Sequence, residues 1–232
     1  MPDRRVGTLS PNNTSESDEH HPASAEAGCG TPTPTTPNDQ HPVVLATVAL
    51  MTRYLDRYPR PVTDYDADWP SPCEQGSFYL DDSGDAKIHW LPVPRWNTEA
   101  ELSGWPQDFD GLEHALETPI HGDFKALFSH WSATLELTGA AGHVSLLQLW
   151  NRADVDRFVE NLIGHVLVQR RARGPLTLFF ACTDPDSEQI LSIHNESGTI
   201  VLEEPGRPPL REVAPNLAQF LAGLEPAGLL TV

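Results

Sequence analysis

The chain has 232 residues and a formal net charge of −18, with 33 acidic against 15 basic residues. Its length allows one domain with a substantial core and is too short for two large domains. So large an acidic excess argues against a nucleic-acid binder, because phosphates would be repelled from the outset, and it favours a basic partner.

Residues 1–40 are rich in Pro, Ser, Thr, Asn and His and contain scarcely any large apolar residue. Such a segment cannot bury enough apolar surface to fold, and we predict a disordered tail. No apolar run follows Arg4 and Arg5, so a secretory signal is not expected. The longest apolar stretch, residues 43–51, is far shorter than the roughly 20 residues that cross a bilayer, which leaves membrane association to a partner or to the protein surface.

The first predicted helix covers residues 43–58 and ends before Pro59. A linker over 60–76 precedes a hairpin, because two short strands, 77–80 and 87–91, flank an Asp-Asp-Ser-Gly-Asp turn. The prolines that follow the hairpin predict an irregular segment.

Further along, residues 109–117 fit a short helix with an apolar side and an acidic side. Residues 121–131 are expected to form another short helix or a turn over the core. Two antiparallel strands, 133–138 and 143–150, follow and are joined through a Gly-Ala-Ala-Gly turn. We expect the second of these strands to pack under the helix that comes next.

The most clearly amphipathic helix in the sequence runs from Asn151 to Arg173. Asn151 or Asp154 can cap its amino end, and Gly174 followed by Pro175 is predicted to stop it. Apolar side chains recur at i, i+3, i+4, i+7 and i+8, which lays a broad stripe along one helix face. The stripe consists of Val155, Phe158, Val159, Leu162, Ile163, Val166 and Leu167.

The rest of the chain is predicted to form strands over 176–182, 189–195 and 199–204 and a closing helix over 216–224. Hairpin-linked strands with helices before, between and after them indicate the α+β class. We therefore predict a single α+β domain over residues 41–232, with a mostly antiparallel sheet and packed helices, preceded by the disordered tail at residues 1–40.

The sequence lacks the glycine-rich, nucleophile-elbow and zinc-protease signatures of common enzymes, which argues against catalysis and against a bound cofactor. Residues 64–68 imitate the start of a calcium loop with three alternating aspartates. The match fails because Trp69 stands where the loop needs glycine and Gln75 where it needs a bidentate glutamate, so we expect no metal. A metal-dependent hydrolase that uses this Asp-rich loop is the weakest of the functional hypotheses.

Single reactive side chains have structural interpretations. His165 lies at the edge of the helical stripe, and a core histidine bonded to a backbone carbonyl is favoured over an acid-base catalyst, because local spacing pairs it with no carboxylate. We interpret Trp90 and Trp150 as core aromatics and Cys73 as a packed, inert thiol. The three cysteines are widely separated, which argues against a disulfide framework or a zinc site and indicates a reducing cytoplasm.

Acidic residues are concentrated in one quarter of the chain. Between residues 64 and 123 there are 14 acids and two bases, a net charge of −12. General salt adaptation would spread acids along the chain, so we favour an acidic face that binds a basic partner, with a merely solvated surface as the alternative. The candidate partner-binding residues are Asp64, Asp66, Asp68, Glu74, Asp108, Asp110, Glu113 and Glu117.

Short runs along the chain also carry a family resemblance. Leu-Leu-Gln-Leu-Trp at 146–150 and Glu-Asn-Leu-Ile-Gly-His at 160–165 resemble the Syd family, the SecY-interacting proteins of the SUKH superfamily. Further similar runs are Trp-Pro-Ser-Pro-Cys at 69–73, Ile-His-Trp-Leu-Pro at 88–92, Thr-Leu-Phe at 177–179 and Asn-Leu-Ala-Gln-Phe-Leu at 216–221. The resemblance extends over residues 43–226.

This resemblance implies a protein without catalytic activity that docks on the SecY translocation channel. An acidic concave surface would meet basic cytoplasmic loops of SecY, in regulation or quality control of the translocase. The protein would be cytoplasmic and loosely associated with the cytoplasmic face of the inner membrane through this partner, with neither nucleic acid nor cofactor bound. A different function stays open, because SUKH relatives include immunity proteins that neutralise nuclease toxins, whose basic active sites an acidic surface would block.

Overall fold

The computed structural model describes residues 40–94, 109–132, 135–147 and 149–228. The disordered tail predicted for residues 1–40 therefore falls outside the described residues, except for Gln40. The helices are α1 (Pro42–Arg57), α2 (Asp110–Leu116), α3 (Gly122–His130), α4 (Arg152–Ala172) and α5 (Leu217–Ala222). The strands are β1 (Val62–Asp64), β2 (Glu74–Leu80), β3 (Ala86–Trp90), β4 (Val93–Pro94), β5 (Trp131–Ser132), β6 (Leu135–Gly139), β7 (Gly142–Leu146), β8 (Thr177–Cys182), β9 (Ile190–His194), β10 (Ile200–Glu203), β11 (Arg211–Ala214) and β12 (Glu225–Pro226).

Helix α1 forms where the apolar spacing predicted it. Pro42 takes the first helical position, where its missing N–H leaves no hydrogen bond unmade. Nδ1 of His41 accepts a hydrogen bond from the Val43 N–H at 3.3 Å and so caps the helix. The buried side of α1 packs against α5, α3 and β12.

The larger sheet has seven strands in the order β11-β10-β9-β8-β7-β6-β12. From β6 to β11 each strand pairs with the next one in the chain, and β12 returns to lie beside β6. All pairings among the described strands are antiparallel. Because α1, α4 and α5 pack against strands of this sheet, the fold is α+β with a mostly antiparallel sheet, which confirms the predicted class.

The smaller sheet has three strands in the order β1-β3-β2 and contains the predicted hairpin. Asp81 shapes its turn, because Oδ1 accepts hydrogen bonds from the Ser83 N–H at 2.9 Å and the Asp85 N–H at 3.0 Å. β2 begins at Glu74 and β1 at Val62, so both strands start inside the stretch that sequence reasoning assigned to a linker.

This smaller sheet is attached to the core through β3. Ile88 and Trp90 are buried, at 3% and 1% exposure, and lie two residues apart on the same face of the strand. The Trp90 ring packs against Tyr54 of α1 and edge-on against Trp150, with centroid separations of 5.9 and 6.2 Å. Both tryptophans thus serve in packing, as predicted, and Cys73 is also fully buried.

Helix α4 begins as predicted, because the Asn151 side chain accepts a hydrogen bond from the Asp154 N–H at 3.0 Å. It ends one residue earlier than predicted. Arg173, with φ 55°, takes the left-handed conformation, and the Gly174 N–H then bonds to the Gln169 carbonyl at 3.0 Å. In this Schellman-type closure the left-handed residue is Arg173, and Gly174 is the residue that follows it.

The buried face of α4 is narrower than the predicted stripe. Its fully buried apolar residues are Val155, Phe158, Leu162 and Val166. Leu167 is 44% exposed, so its assignment to the stripe was wrong. Five residues after Leu162, it is rotated by about 140° around the helix and lies outside the covered arc.

The elements packed with α4 also differ from the prediction in part. The strand predicted over 143–150 ends at Leu146, and α4 packs against β8 and α2. Phe158 lies at the centre of this packing, with ring centroids 4.8 Å from Phe128 of α3 and 5.5 Å from Phe179 of β8. The core therefore joins the larger sheet to α3 through one aromatic side chain of α4.

Candidate docking surface

Carboxylates are concentrated on the smaller sheet. We call β1, β2, β3 and the turns between them, residues 62–90, the acidic sheet. It holds seven carboxylates and a single Lys or Arg side chain, Lys87. The carboxylates belong to Asp64, Asp66, Asp68, Glu74, Asp81, Asp82 and Asp85.

Lys87 is already paired within the acidic sheet. Its Nζ lies 2.5 Å from Oδ1 of Asp64, the residue opposite it on β1, and 3.9 Å from Oδ2 of Asp81. The hydrogen bond to Asp64 raises the pKa of Lys87, so the ammonium stays charged. Among the described residues, no cation forms a direct ion pair with the exposed carboxylates of Asp66, Asp68, Asp82 or Asp85, although the charge of Asp85 also acts on Lys87. The surface keeps a strong negative excess.

The aspartate repeat after β1 forms a turn. Oδ1 of Asp66 accepts a hydrogen bond from the Asp68 N–H at 2.9 Å. One carboxylate of the repeat is therefore already hydrogen-bonded to the main chain. Trp69 follows, and its ring is covered by the Arg157 guanidinium of α4 at 4.1 Å. Within the described parts of the chain, no three His, Cys, Asp or Glu side chains are grouped so that they could hold a metal ion.

Glu74 is half-buried, whereas Asp64, Asp66 and Asp68 are exposed. It lies opposite Trp90 in the β2–β3 register, on the core side of the sheet. Burial raises the pKa of Glu74, and a hydrogen bond with the Ser71 backbone offsets this only in part. Of the sheet residues proposed from sequence, Glu74 is therefore the one least suited to a direct ion pair.

The acids predicted on α2 differ in their availability. Glu113 is half-buried: its Oε1 accepts a hydrogen bond from the Ile120 N–H at 2.7 Å, and it forms an ion pair with Lys125. Glu117 is exposed and takes the left-handed conformation at the helix end, with φ 50°. Asp110 is exposed in the first turn, and Asp108 lies outside the described residues.

The structure does not bring all of these acids together. Trp69, beside the Asp66 turn, contacts Arg157 near the start of α4, whereas the Leu116 carbonyl before Glu117 accepts a hydrogen bond from Arg170 near its end. Thirteen residues of helix separate the two arginines, which is about 20 Å along the axis. The end of α2 and the Asp66 turn are therefore two separate acidic regions.

Sequence reasoning left three carboxylates out of the candidate site. Asp81, Asp82 and Asp85 were assigned to the hairpin turn and counted in the acidic quarter but not named as candidates, yet Asp81 shares Lys87 with Asp64, and Asp82 and Asp85 stand in the same turn. The signal was present, because these residues lie inside the acidic quarter of the chain. The acidic sheet, rather than α2, is the main candidate docking surface.

His165 also differs from its sequence interpretation. It is a core residue, with a side chain 7% exposed, but its partner is a carboxylate rather than a backbone carbonyl. Nε2 lies 3.4 Å from Oε1 of Glu203 on β10 and 2.8 Å from Nε2 of Gln169. Glu203 is 1% exposed, so the pair is enclosed and acts in packing.

Comparison with known proteins bears on the whole domain. A family model described as Syd protein (SUKH-2) matches residues 46–226. The chain belongs to the Syd family. It is 38% identical to Protein Syd of Pseudoalteromonas atlantica over 164 aligned residues, and this alignment covers 70% of this chain and 82% of the relative. It is 34% identical to Protein Syd of Hahella chejuensis over 197 aligned residues, and this alignment covers 81% of this chain and 95% of the relative.

The part of the chain that matches the Syd family includes both acidic regions, because residues 46–226 extend from α1 to β12. The name of the family is not that of an enzyme family. None of the helices in the described residues is both long enough and apolar enough to cross a membrane.

Proposed function

We propose that this Syd-family protein binds basic cytoplasmic loops of the SecY translocation channel and acts, without catalysis, in regulation or quality control of the translocase. The observation that carries the proposal is the acidic sheet, whose one lysine is already paired with Asp64 and Asp81. A SecY partner is what the resemblance to the Syd family implies. The protein would then lie in the cytoplasm and reach the inner membrane only through this partner.

A surface of this kind suits steering toward basic loops more than tight binding. Exposed carboxylates attract lysines and arginines over distances of about 10 Å at ordinary ionic strength, which speeds the encounter. Each exposed ion pair then contributes only about 0.2 to 1 kcal/mol. We therefore expect modest affinity that falls as salt is added.

The proposed contact residues are those of the sequence-derived set together with the hairpin turn. The set is Asp64, Asp66, Asp68, Glu74, Asp108, Asp110, Glu113 and Glu117, to which Asp81, Asp82 and Asp85 are added. Within it, the exposed aspartates of the acidic sheet are expected to contribute most, because the Glu113 carboxylate already contacts Lys125 and the Ile120 N–H.

The test is a pull-down of SecY from detergent-solubilised native membranes, with the full chain as bait, at low and at high salt. The variant Asp81→Asn/Asp82→Asn/Asp85→Asn keeps the turn, because the asparagine at 81 can still accept its two backbone hydrogen bonds. We expect it to retain several-fold less SecY at low salt.

A matched control removes three charges elsewhere. Asp184, Asp186 and Glu188 lie exposed in the turn between β8 and β9 of the larger sheet, and the Asp184 side chain likewise accepts a backbone hydrogen bond, from Asp186. Their neutralisation should leave SecY retention near the wild-type level. Equal loss in both triple variants would mean that only net charge matters. Recovery of a nuclease toxin in place of SecY would favour the SUKH immunity function instead.

A further inference from the structure

The carboxyl-terminal half of β2 exposes three consecutive large apolar side chains. Phe78, Tyr79 and Leu80 are 51%, 39% and 65% exposed. A strand that covers a core alternates buried and exposed residues, but β2 is exposed at every position from Gln75 to Leu80. A run of this kind on a protein surface marks an interaction site more often than an isolated exposed leucine does.

The register of the sheet assigns these side chains to its two faces. Leu80 lies opposite Ala86, which shares a face with the buried Ile88, whereas Tyr79 lies opposite Lys87 on the other face. The β2–β3 hairpin therefore extends beyond the core. The face of the sheet that is buried at Ile88 is exposed to solvent at Leu80.

Two aromatic contacts hold this end of the hairpin in place. The Phe78 ring stacks on Tyr65, just after β1, with centroids 4.6 Å apart and planes within 4°. On the opposite face, the Tyr79 ring lies 5.5 Å from His89. We call Tyr65, Phe78 and Leu80, which lie on the same face, the hairpin patch.

The charges around the hairpin patch restrict what can cover it. Tyr65 stands between Asp64 and Asp66 in the chain, and Leu80 is followed directly by Asp81 and Asp82. A second copy of this chain would bring like charges together, and an anionic lipid surface would be repelled. A cationic polypeptide with apolar side chains of its own satisfies both the apolar centre and the acidic rim.

We propose that the hairpin patch is the apolar contact of the docking surface and that its occupant is a basic polypeptide segment in which lysines or arginines are mixed with apolar residues. This inference rests on the proposed function, since it places the contact within the acidic sheet. Its consequence concerns salt. Ion pairs with the rim are screened, but burial of Phe78 and Leu80 is not, so part of the affinity persists at high ionic strength.

The experiment measures binding of two synthetic peptides to the full chain by calorimetry at low and high salt. One peptide has the sequence of a basic cytoplasmic loop of SecY, and the other is the same peptide with its apolar residues replaced by serine. The variant is Phe78→Ser/Leu80→Ser, with Leu80→Ser alone as a milder second variant. The control is Leu210→Ser, because Leu210 is 49% exposed and precedes β11 of the other sheet.

We expect the double variant to bind the loop peptide about tenfold more weakly than wild type at both salt concentrations, as for central contacts of other interfaces. The control should match wild type, and the serine-substituted peptide should bind wild type and variant equally weakly. Unchanged affinity in folded patch variants would overturn the hairpin patch while the proposed function stands. A wild-type protein that binds neither the loop peptide nor SecY would overturn the proposed function itself.

Discussion

His165 of α4 and Glu203 of β10 face each other inside the protein, with 3.4 Å between Nε2 and Oε1. Glu203 also accepts a hydrogen bond from the Thr177 hydroxyl at 2.7 Å. Burial alone would raise the pKa of Glu203, but hydrogen bonds from His165 and Thr177 and the charge of His165 together lower it below its ordinary value. The carboxylate is thus held ionised between the central helix and the larger sheet.

The lowered pKa of Glu203 predicts a contribution to stability that depends on pH. The unfolded chain takes up this proton near the ordinary value of 4.5, whereas the folded protein does so only at lower pH. The stabilisation is therefore fully present above the unfolded value and is lost as the pH falls through the folded one. In urea unfolding, the difference in free energy between wild type and Glu203→Gln should shrink below about pH 4.5.

The neighbouring residue supplies the control for this pH effect. Glu204 pairs with Arg207 in a surface contact, so Glu204→Gln should differ from wild type by less than about 1 kcal/mol at every pH. A constant difference between wild type and Glu203→Gln from pH 7 down to about pH 3 would contradict the prediction.

A second prediction concerns the buried face of α4. Leu162 is 0% exposed, so Leu162→Ala should lower the free energy of unfolding by about 2 to 5 kcal/mol through the cavity it leaves. Leu167→Ala on the same helix removes a side chain that is 44% exposed and should cost less than about 1 kcal/mol. Chemical denaturation of both variants measures the contrast, and similar losses would show that the helix is buried differently.

A third prediction follows from the end of α4. Because Arg173 has φ 55°, a conformation that suits glycine, Arg173→Gly should raise the free energy of unfolding by about 1 kcal/mol. Arg171→Gly removes the same charge, but it places glycine inside the helix, so it should lower the free energy of unfolding by a similar amount. Thermal unfolding should thus shift in opposite directions, and two shifts of the same sign would argue against the left-handed closure.

These examples indicate what local sequence can and cannot predict. Helix α4 and its Asn151 cap were predictable because the apolar period and the capping residue are local signals. The His165–Glu203 pair was not, because its members are 38 residues apart and meet only when β10 joins the sheet. Glu113 looked exposed from helical spacing, yet α3 brings Lys125 to it.

Several short strands were also not predicted from the sequence. β1, β11 and β12 have two to four residues each, too few for an alternating pattern to be recognised, and they form because longer neighbours supply the hydrogen bonds. For the docking surface, the acidic composition was predictable. The division into two regions required the contacts of Arg157 and Arg170 of α4, and the faces of the aromatic residues at the hairpin end required the register of β2 on β3.

A fourth prediction addresses the amino-terminal segment, which we propose is a disordered tail outside the domain. Deleting residues 1–39 should leave the thermal transition unchanged, because their composition offers too little apolar surface to offset the entropy of ordering. His41 must be kept, since its Nδ1 caps α1. In the full chain, His41→Ala should cost about 0.5 to 1 kcal/mol. A truncated protein that melts several degrees lower would show that residues 1–39 contact the domain.

The fifth prediction is that removing the positive charge of Lys87 strengthens binding of a basic peptide, whereas removing carboxylates weakens it. Lys87 is the one Lys or Arg side chain of the acidic sheet, and its ammonium neutralises Asp64 and Asp81 in part. Lys87→Gln releases both carboxylates, so the affinity for a basic SecY loop peptide should rise about two- to fivefold at low salt, equivalent to one exposed ion pair. The gain should disappear at high salt, where exposed charges are screened.

The matched control is Arg207→Gln, which removes one positive charge from a surface ion pair with Glu204, away from the acidic sheet. If the acidic sheet binds the peptide, only Lys87→Gln should bind more tightly, because screening limits the effect of a distant charge. Titrations at two salt concentrations distinguish the possibilities. An equal gain in both variants would assign the effect to net charge, and a loss of affinity in Lys87→Gln would mean that the lysine holds Asp64 and Asp81 in their binding positions.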